Sequence, residues 1–265
     1  MRTDALVDRV TFAGRSASGV VLADGDFVAA DRVVIAAGAL HSPAILLRSG
    51  IDTPGVGCGL QDHPAVPLTL QLREASVNAP GSLAIGTLLQ RDPVQILPMN
   101  HLGAEAPGLG LLMPALMRPR GRAGTVWLAS EDPMVDPVVD FALLDDPADV
   151  AALSTGVRLA LDLLDAPAFR EIVETVFIDE FGTLASTLSD DVSIERWVQG
   201  AVGDYVHASS SCAMGTVVDV DGRLIGYEDL YVCDASVFPS IPDVNTHLPT
   251  TMLAERLSAR WSATR

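Results

Sequence analysis

Residues 203–254 read GDYVHASSSCAMGTVVDVDGRLIGYEDLYVCDASVFPSIPDVNTHLPTTMLA, and the rest of the chain is best interpreted from this stretch. It contains two of the five histidines, His207 and His247, together with two of the three cysteines and an Asp-Ala-Ser turn after a short apolar run. Each histidine lies among small or turn-forming residues, a setting in which burial can tune an imidazole for general-base chemistry. A single loop histidine is more often a surface or hydrogen-bonding residue. The setting alone therefore leaves both interpretations open.

The composition is that of a folded, acidic protein. A chain of 265 residues, 49% of them hydrophobic, can bury one large core or two smaller ones. The formal charge of −17 and the lack of lysine argue against a nucleic-acid partner, since phosphate binding needs a basic surface. The same lack of lysine, with abundant alanine, valine and arginine, is typical of a high-GC bacterial genome.

Targeting signals and cysteine spacing bear on the compartment. No run of about eighteen apolar residues predicts a membrane span, and the opening residues MRTDALVDRVTF carry charges where a signal peptide has an apolar segment. Cys58, Cys212 and Cys233 show no CxxC spacing, and Cys212 and Cys233 are better explained as small buried residues than as a redox pair. We therefore expect a reduced, cytoplasmic protein.

The hydrophobic pattern changes period along the chain. Residues 5–37 show short strand patterns, and the run 32–38 predicts a buried strand whose end approaches a ligand closely. Ser42 and Pro43 predict the start of a helix over 43–48. From residue 65, alternation and prolines predict an antiparallel sheet. Later helices are predicted over 146–165, 167–177, 190–199, with Ser189 as its N-cap, and 249–261.

Several segments, in order along the chain, resemble the glucose-methanol-choline (GMC) oxidoreductase family of FAD-dependent alcohol and sugar oxidases and dehydrogenases. Residues 38–51, GALHSPAILLRSGI, are similar to the family's second signature. Residues 56–64, VGCGLQDHP, resemble its GxNLQDHP segment, with Gly59 in place of asparagine. Residues 118–137 are similar to its substrate-domain stretch, residues 207–215 to HPxGTCRMG, and residues 234–255 to DASVMPxxxxxNTxxPTxMIAE.

The resemblance implies an α/β (α+β) chain, in which a partial FAD-binding Rossmann-like domain accompanies an antiparallel-sheet substrate domain with flanking helices. Residues 1–64 would be the remnant of the FAD-binding domain and residues 65–200 the substrate-binding domain. Residues 201–265 would return to the FAD-binding domain with the catalytic loops. The resemblance also implies FAD as the cofactor, no metal, and a small-molecule alcohol or a reduced carrier as the hydride donor.

The resemblance assigns roles to particular residues. His207 takes the place of the family's catalytic histidine and would accept the hydroxyl proton as hydride leaves for flavin N5. His247 stands where the family has a histidine or an asparagine and would orient the transition state. Without the resemblance, Val7 and Pro249 are better explained by ordinary packing. The residues implied to contact FAD are Val7, Ala37, Gly38, Asp234, Ala235, His247, Pro249 and Thr250.

The chain departs from the family pattern at its beginning. Family members open with a GxGxxG turn that binds the FAD pyrophosphate, and no such motif occurs in this sequence. We expect a catalytic C-terminal half that needs a separate N-terminal flavin-binding portion, arising by truncation, a misplaced start or a split gene. An inactive fragment and a binding or assembly module are the alternatives. The serine-rich stretch after His207 is also compatible with the actinobacterial branch associated with mycofactocin.

Overall fold

The structure is a computed structural model that describes residues 1–77, 82–103 and 106–263. Its helices and mainly antiparallel sheets confirm the predicted α/β (α+β) class. The strands are β1 (Val7–Ala13), β2 (Ser16–Leu22), β3 (Phe27–Ala29), β4 (Val33–Ile35), β5 (Cys58–Leu60), β6 (Leu68–Leu72), β7 (Leu89–Arg91), β8 (Val94–Met99), β9 (Leu109–Leu116), β10 (Gly124–Trp127), β11 (Val138–Asp140), β12 (Val173–Phe177) and β13 (Leu230–Val232). The helices are α1 (Gly38–Arg48), α2 (Pro147–Leu164), α3 (Pro167–Ile172), α4 (Asp191–Ala201) and α5 (His247–Ala263).

The chain folds into two compact units. The first contains Met1–Asp62, Ala123–Ala142 and Val206–Arg265, and the second contains His63–Arg122 and Leu143–Tyr205. The predicted division kept residues 65–200 together, whereas Ala123–Ala142 belongs to the first unit. This segment carries β10 and β11, and β10 pairs with both β11 and β5 in a three-stranded antiparallel sheet.

The first unit is built from small sheets around one hydrophobic core. Strands β1, β2 and β3 form an antiparallel sheet in that order, and β4 pairs in parallel with β13. Leu46 of α1, Leu230 of β13 and Leu257 of α5 are fully buried together in this core. The register places Ile35 opposite Val232. The segments that follow the two strands therefore lie side by side, although about 200 residues separate them in the sequence.

Strand β4 is buried on one face only, whereas its apolar sequence predicts a strand that is buried throughout. Val33 and Ile35 are buried, but Val34 between them is 42% exposed. A continuous apolar run is typical of a strand covered on both faces. In the described part of the chain, one face of the β4–β13 pair is open at Val34.

The second unit is centred on a five-stranded antiparallel sheet with the order β12-β6-β9-β8-β7. One face, with Leu68, Ile96 and Leu112, is buried in a cluster that α2 helps to form. Helix α2 begins at Pro147, and the Asp146 side chain caps it by accepting a hydrogen bond from the Ala148 N–H. Asp149 in its first turn is 2% exposed and accepts hydrogen bonds from the backbone N–H groups of Arg120 and Gly121.

The predicted helix over 167–177 is wrong in its second half. Helix α3 ends at Ile172, and Val173–Phe177 forms β12, which pairs with β6 at the sheet edge. The sequence VETVF is rich in β-branched residues, which favour strands. Pairing with β6 therefore outweighs the short helical pattern of this segment. Helix α4 begins as predicted to within a residue, but its cap is Asp190 in a capping box with Ser193 and not Ser189.

Two helix starts also differ from the prediction. Helix α1 begins at Gly38, so Ser42 and Pro43 lie inside it and Ser42 is not its N-cap. Helix α5 begins at His247, two residues before the predicted Pro249. A proline is tolerated there because the first four N–H groups of a helix have no intrahelical partner. Among the described residues, no helix is both long enough and apolar enough to cross a bilayer.

Candidate active site

Asp234 connects the ends of β4 and β13 to the start of α1. Its Oδ2 accepts hydrogen bonds from the Gly38 N–H at 2.9 Å and from the Ser42 hydroxyl at 2.5 Å. Its Oδ1 accepts from the Ser236 N–H at 2.8 Å, which caps a short 3-10 turn over Ala235–Val237. A buried carboxylate at a helix N-terminus is favoured by the unpaired N–H groups and the helix dipole. This single side chain fixes the predicted residues Gly38, Asp234 and Ala235 in one place.

The strand ends at this junction carry small side chains. Ala36 and Ala37 follow β4 and are exposed, and the Ala37 N–H donates to the Ser42 hydroxyl at 3.0 Å. Gly38 has φ +80°, and a Cβ atom added to it would meet no other atom within 4 Å. The carboxyl ends of adjacent parallel strands are where open α/β sheets bind ligands. The arrangement therefore fits close approach of a ligand to the backbone at 36–38.

The loop that carries His207 is held by a buried carboxylate. Asp62 is 2% exposed, and its two oxygens accept the His207 N–H at 3.0 and 3.2 Å. The residue before it, Val206, has φ +60°, a conformation that is rare for a β-branched side chain. Such strained backbone is found preferentially at functional sites, where surrounding contacts stabilise it. Asp62 lies in the LQDHP motif, but its role was missed because nothing in the sequence marks a partner 145 residues away.

The imidazole of His207 faces Asn245. The side-chain nitrogen of Asn245 lies 3.4 Å from Nε2 of His207. An amide nitrogen is only a donor, so Nε2 is the accepting nitrogen of a neutral ring in this arrangement. The ring is half-buried, and burial lowers the pKa of His207 below its ordinary value. The imidazole of His207 is therefore mostly neutral at pH 7.

The other predicted residues of the C-terminal stretch lie in the first turn of α5. His247 is its first residue and is exposed, while Pro249 and Thr250 are half-buried. The Thr250 N–H and hydroxyl both donate to the Thr246 carbonyl, at 3.0 and 2.8 Å. Since Asn245 contacts His207 and precedes His247 by two residues, the two predicted histidines come from segments that meet at Asn245.

Val7 lies apart from these groups in the secondary structure. It pairs with Leu22 at the end of the β1–β2 ladder and packs, half-buried, against the core of the first unit. The described structure brings together Ala37, Gly38, Asp234 and Ala235 at one junction and His207 and Asn245 at another. It gives Val7 an ordinary packing role.

The cysteines are free thiols in very different surroundings. Cys212 is fully buried, and burial, followed by the nearby Asp234 charge, raises the pKa of its thiol to about 12. Burial also raises the pKa of the half-buried Cys233 thiol, whereas Cys58 is exposed. Cys212 is thus a small buried residue, consistent with the prediction.

Family models match two segments of the chain. Two models, both described as GMC oxidoreductase, match residues 1–65 and 119–254. The chain belongs to the GMC oxidoreductase family.

Characterised relatives and solved structures agree with this assignment. The 5-(hydroxymethyl)furfural oxidase of Methylovorus sp. (strain MP688) is 34% identical, over 97% of this chain and 56% of the relative. The oxygen-dependent choline dehydrogenase of Paraburkholderia phymatum is 30% identical, over 97% of this chain and 54% of the relative. The chain therefore spans little more than half the length of these curated relatives.

Among solved structures, a formate oxidase from Aspergillus oryzae RIB40 superposes with a TM-score of 0.86 at 20% identity, covering 99% of this chain and 60% of the other. A pyridoxine 4-oxidase from Mesorbium loti gives a TM-score of 0.83 at 21% identity, covering 98% and 57%. The formate oxidase structure was determined to study modification of its FAD. Members of this family are FAD-dependent oxidoreductases, and these likenesses confirm the fold of the chain.

Proposed function

We propose that this chain is the catalytic part of an FAD-dependent oxidoreductase that converts a CH–OH group to a carbonyl, with His207 as the general base. The observation that carries the proposal is the half-buried imidazole of His207, whose Nε2 lies 3.4 Å from the Asn245 amide nitrogen and whose pKa is lowered by burial. A base poised below its ordinary pKa can accept the hydroxyl proton near neutral pH. When bound, FAD supplies the acceptor for the hydride that leaves the same carbon.

The residues that would hold FAD lie at the strand ends and at the start of α5. Ala37, Gly38, Asp234 and Ala235 lie at the strand ends, and the absence of any atom near a Gly38 Cβ leaves room for a cofactor. His247, Pro249 and Thr250 form the positive end of α5, which favours negative charge on a bound group. Val7 is counted among the residues that would contact FAD only because of the family resemblance.

The roles within the site follow from these positions. His207 would take the hydroxyl proton on Nε2 once the substrate hydroxyl replaces the Asn245 amide as the hydrogen-bond partner of that nitrogen. Asn245 and His247 are polar groups that would then orient the substrate oxygen. Developing negative charge on that oxygen is stabilised best by donors fixed before the reaction. The first unit would be the cofactor-facing part and the second unit the substrate-binding part.

The second candidate is an assembly module that needs a separate flavin-binding portion. The β4–β13 pair is a two-stranded parallel sheet with Val34 exposed, and parallel sheets are usually larger and covered on both faces. Leu248 and Met252 of α5 are 74% and 59% exposed. Additional parallel strands and helices supplied by a flavin-binding portion would cover such surfaces.

The test is reconstitution. This chain is purified alone and together with the N-terminal portion of a full-length relative, and bound flavin absorbance and alcohol-dependent dye reduction are measured. Hydroxymethylfurfural and choline, which the names of the relatives indicate, serve as first substrates. We expect flavin and activity only in the mixture, with activity lost in His207→Ala and kept in His101→Ala, whose side chain hydrogen-bonds in the second unit.

Three outcomes decide among the candidates. Activity that survives His207→Ala contradicts the catalytic role, and flavin bound at one per chain by the chain alone contradicts the need for a partner. Flavin binding without turnover of any alcohol favours the assembly module.

The mycofactocin branch and a cytoplasmic location are further proposals. The serine-rich stretch and the composition support the first, and the free cysteines support the second. A reduced carrier added as hydride donor tests the first.

A further inference from the structure

We propose that Gln61 and Asp62 are positioning residues that join the loop carrying His207 to the loop carrying Asn245, and so set the distance between the imidazole and the amide. The inference rests on the proposed function of His207. It adds to that function a pair of residues that touch neither the substrate nor the reacting atoms.

The first connection runs from Asp62 to His207. Both carboxylate oxygens of Asp62 accept the His207 N–H, and the carboxylate is 2% exposed. A hydrogen bond to an ionised acceptor is about twice as strong as one between neutral groups. Fixing the backbone N–H of His207 fixes the Cα atom from which its ring projects.

The second connection runs from Gln61 to both loops. Its backbone exchanges two hydrogen bonds with Ser209, from the Gln61 N–H at 3.0 Å and from the Ser209 N–H at 2.9 Å. Its side-chain oxygen accepts the Ile241 N–H at 2.8 Å. Ile241 is buried, and it lies four residues before Asn245. One residue therefore binds the chain on each side of the His207–Asn245 contact.

The loops that carry His207 and Asn245 contain strained and exposed residues, which such connections would hold in place. Val206 and Ser210, on either side of the His207 loop, have φ +60° and +71°, which side chains rarely adopt. Val244 is 53% exposed and Asn245 is exposed as well. A displacement of about 1 Å at a catalytic group can lower the rate by about 100-fold. Rigid tethers at Gln61 and Asp62 would prevent that displacement.

The experiment measures the His207 ring in this chain directly and needs no flavin. Long-range ¹H–¹⁵N correlation spectra give the tautomer and pKa of His207, and a nuclear Overhauser effect reports its proximity to the Asn245 amide. The variants are Asp62→Ala and Gln61→Met, which remove the acceptors, and Asp62→Asn and Gln61→Glu, which keep one. Asp149→Ala is the matched control, since Asp149 is equally buried, accepts two backbone N–H groups and lies in the second unit.

We expect Asp62→Ala and Gln61→Met to abolish the Overhauser effect and to move the His207 pKa up towards its ordinary value, as the loop opens to solvent. Asp62→Asn and Gln61→Glu should restore the signal, and Asp149→Ala should leave it unchanged. Unchanged His207 signals in Asp62→Ala and Gln61→Met overturn the proposal, as does an equal change in Asp149→Ala. If Asp62→Ala does not fold, Gln61→Met, which preserves side-chain volume, still decides the matter.

Activity separates this inference from the proposed function. In the reconstituted enzyme, Gln61→Met should lower kcat about 10- to 100-fold with a much smaller change in KM, and should shift the acidic limb of the pH profile upwards. If the ring signals respond as expected but His207→Ala remains active, the positioning role of Gln61 and Asp62 is supported and the catalytic role of His207 is contradicted.

Discussion

The side-chain amide of Asn245 lies 3.4 Å from Nε2 of His207, although 38 residues separate the two in the sequence. A donating amide pairs with the accepting nitrogen of a neutral imidazole. Burial of the ring lowers the pKa of His207 and so also favours the neutral form.

The depressed pKa of His207 predicts a pH dependence of stability. Above about pH 6.5 the ring is neutral in both the folded and the unfolded chain. As the pH falls below that value, the unfolded chain takes up the proton first, so the free energy of unfolding decreases. In thermal unfolding between about pH 7.5 and 5, the wild-type chain should lose more stability than His207→Gln. His101→Gln should behave like the wild type; a parallel decline in wild type and His207→Gln would contradict the shift.

Asn245→Asp should reverse the direction of the His207 pKa shift. A carboxylate beside the ring favours the imidazolium and raises its pKa by about one unit or more. The folded pKa then exceeds the unfolded one, so the added stability is present below about pH 6.5 and disappears as the pH rises through the folded value. Titration of the ring by NMR measures the shift, with Asn245→Leu as the control of similar size. A pKa that stays low in Asn245→Asp would show that the two side chains do not interact.

Asp234→Ala should be among the most destabilising single changes in the first unit. It leaves the Gly38 N–H and the Ser42 hydroxyl without their acceptor, at a cost of about 3 kcal/mol in the free energy of unfolding. Urea unfolding provides the measurement. Ser262→Ala, whose hydroxyl donates to the Ser258 carbonyl on the exposed surface of α5, should change stability by less than about 0.5 kcal/mol.

Gly57→Ala should destabilise the loop before the LQDHP motif. Gly57 has φ +79°, and a Cβ there would collide with the Val126 carbonyl oxygen. The strain and the collision together should exceed about 2 kcal/mol. Gly14→Ala is the matched control, because Gly14 has φ +67° with open space around it and carries only the conformational cost of about 1 kcal/mol. Equal effects of the two substitutions on urea unfolding would contradict the packing described.

Thiol reactivity should follow burial. Cys58 is exposed and should be alkylated first, Cys233 more slowly, and Cys212 only after unfolding, since the pKa of its buried thiol is about 12 and the thiolate is the reactive form. Timed iodoacetamide labelling with peptide mass spectrometry measures the order. Early labelling of Cys212 would show that the 209–212 segment opens readily.

The sequence was informative where local patterns decide structure and misleading where distant residues do. Helix α2 was predicted from its proline, acidic first turn and apolar period, all of which are local. The predicted start of α1 is five residues late because the carboxylate of Asp234, which accepts the first N–H of the helix, is 196 residues away in the sequence. Residues 173–177 were assigned to a helix because their partner strand β6 cannot be inferred from the segment itself.

The candidate site shows the same limit. His207 could be singled out from its loop of small residues and from the family resemblance. Its contacts with Asp62 and Asn245 depend on how three separate segments meet, which no spacing rule encodes. The roles assigned to His207, His247 and the implied cofactor contacts are still predictions, and the experiments above test them.

The junction at Asp234 has a consequence for evolution and for protein engineering. The carboxylate at the proposed cofactor contact also accepts the first N–H of α1 and the Ser42 hydroxyl inside that helix. A substitution of Asp234 that altered cofactor preference would at the same time change the stability of the fold. It would therefore also change the amount of folded protein that a cell accumulates. Changes in cofactor specificity are therefore expected to enter through neighbouring backbone positions such as 36–38, with the aspartate held constant.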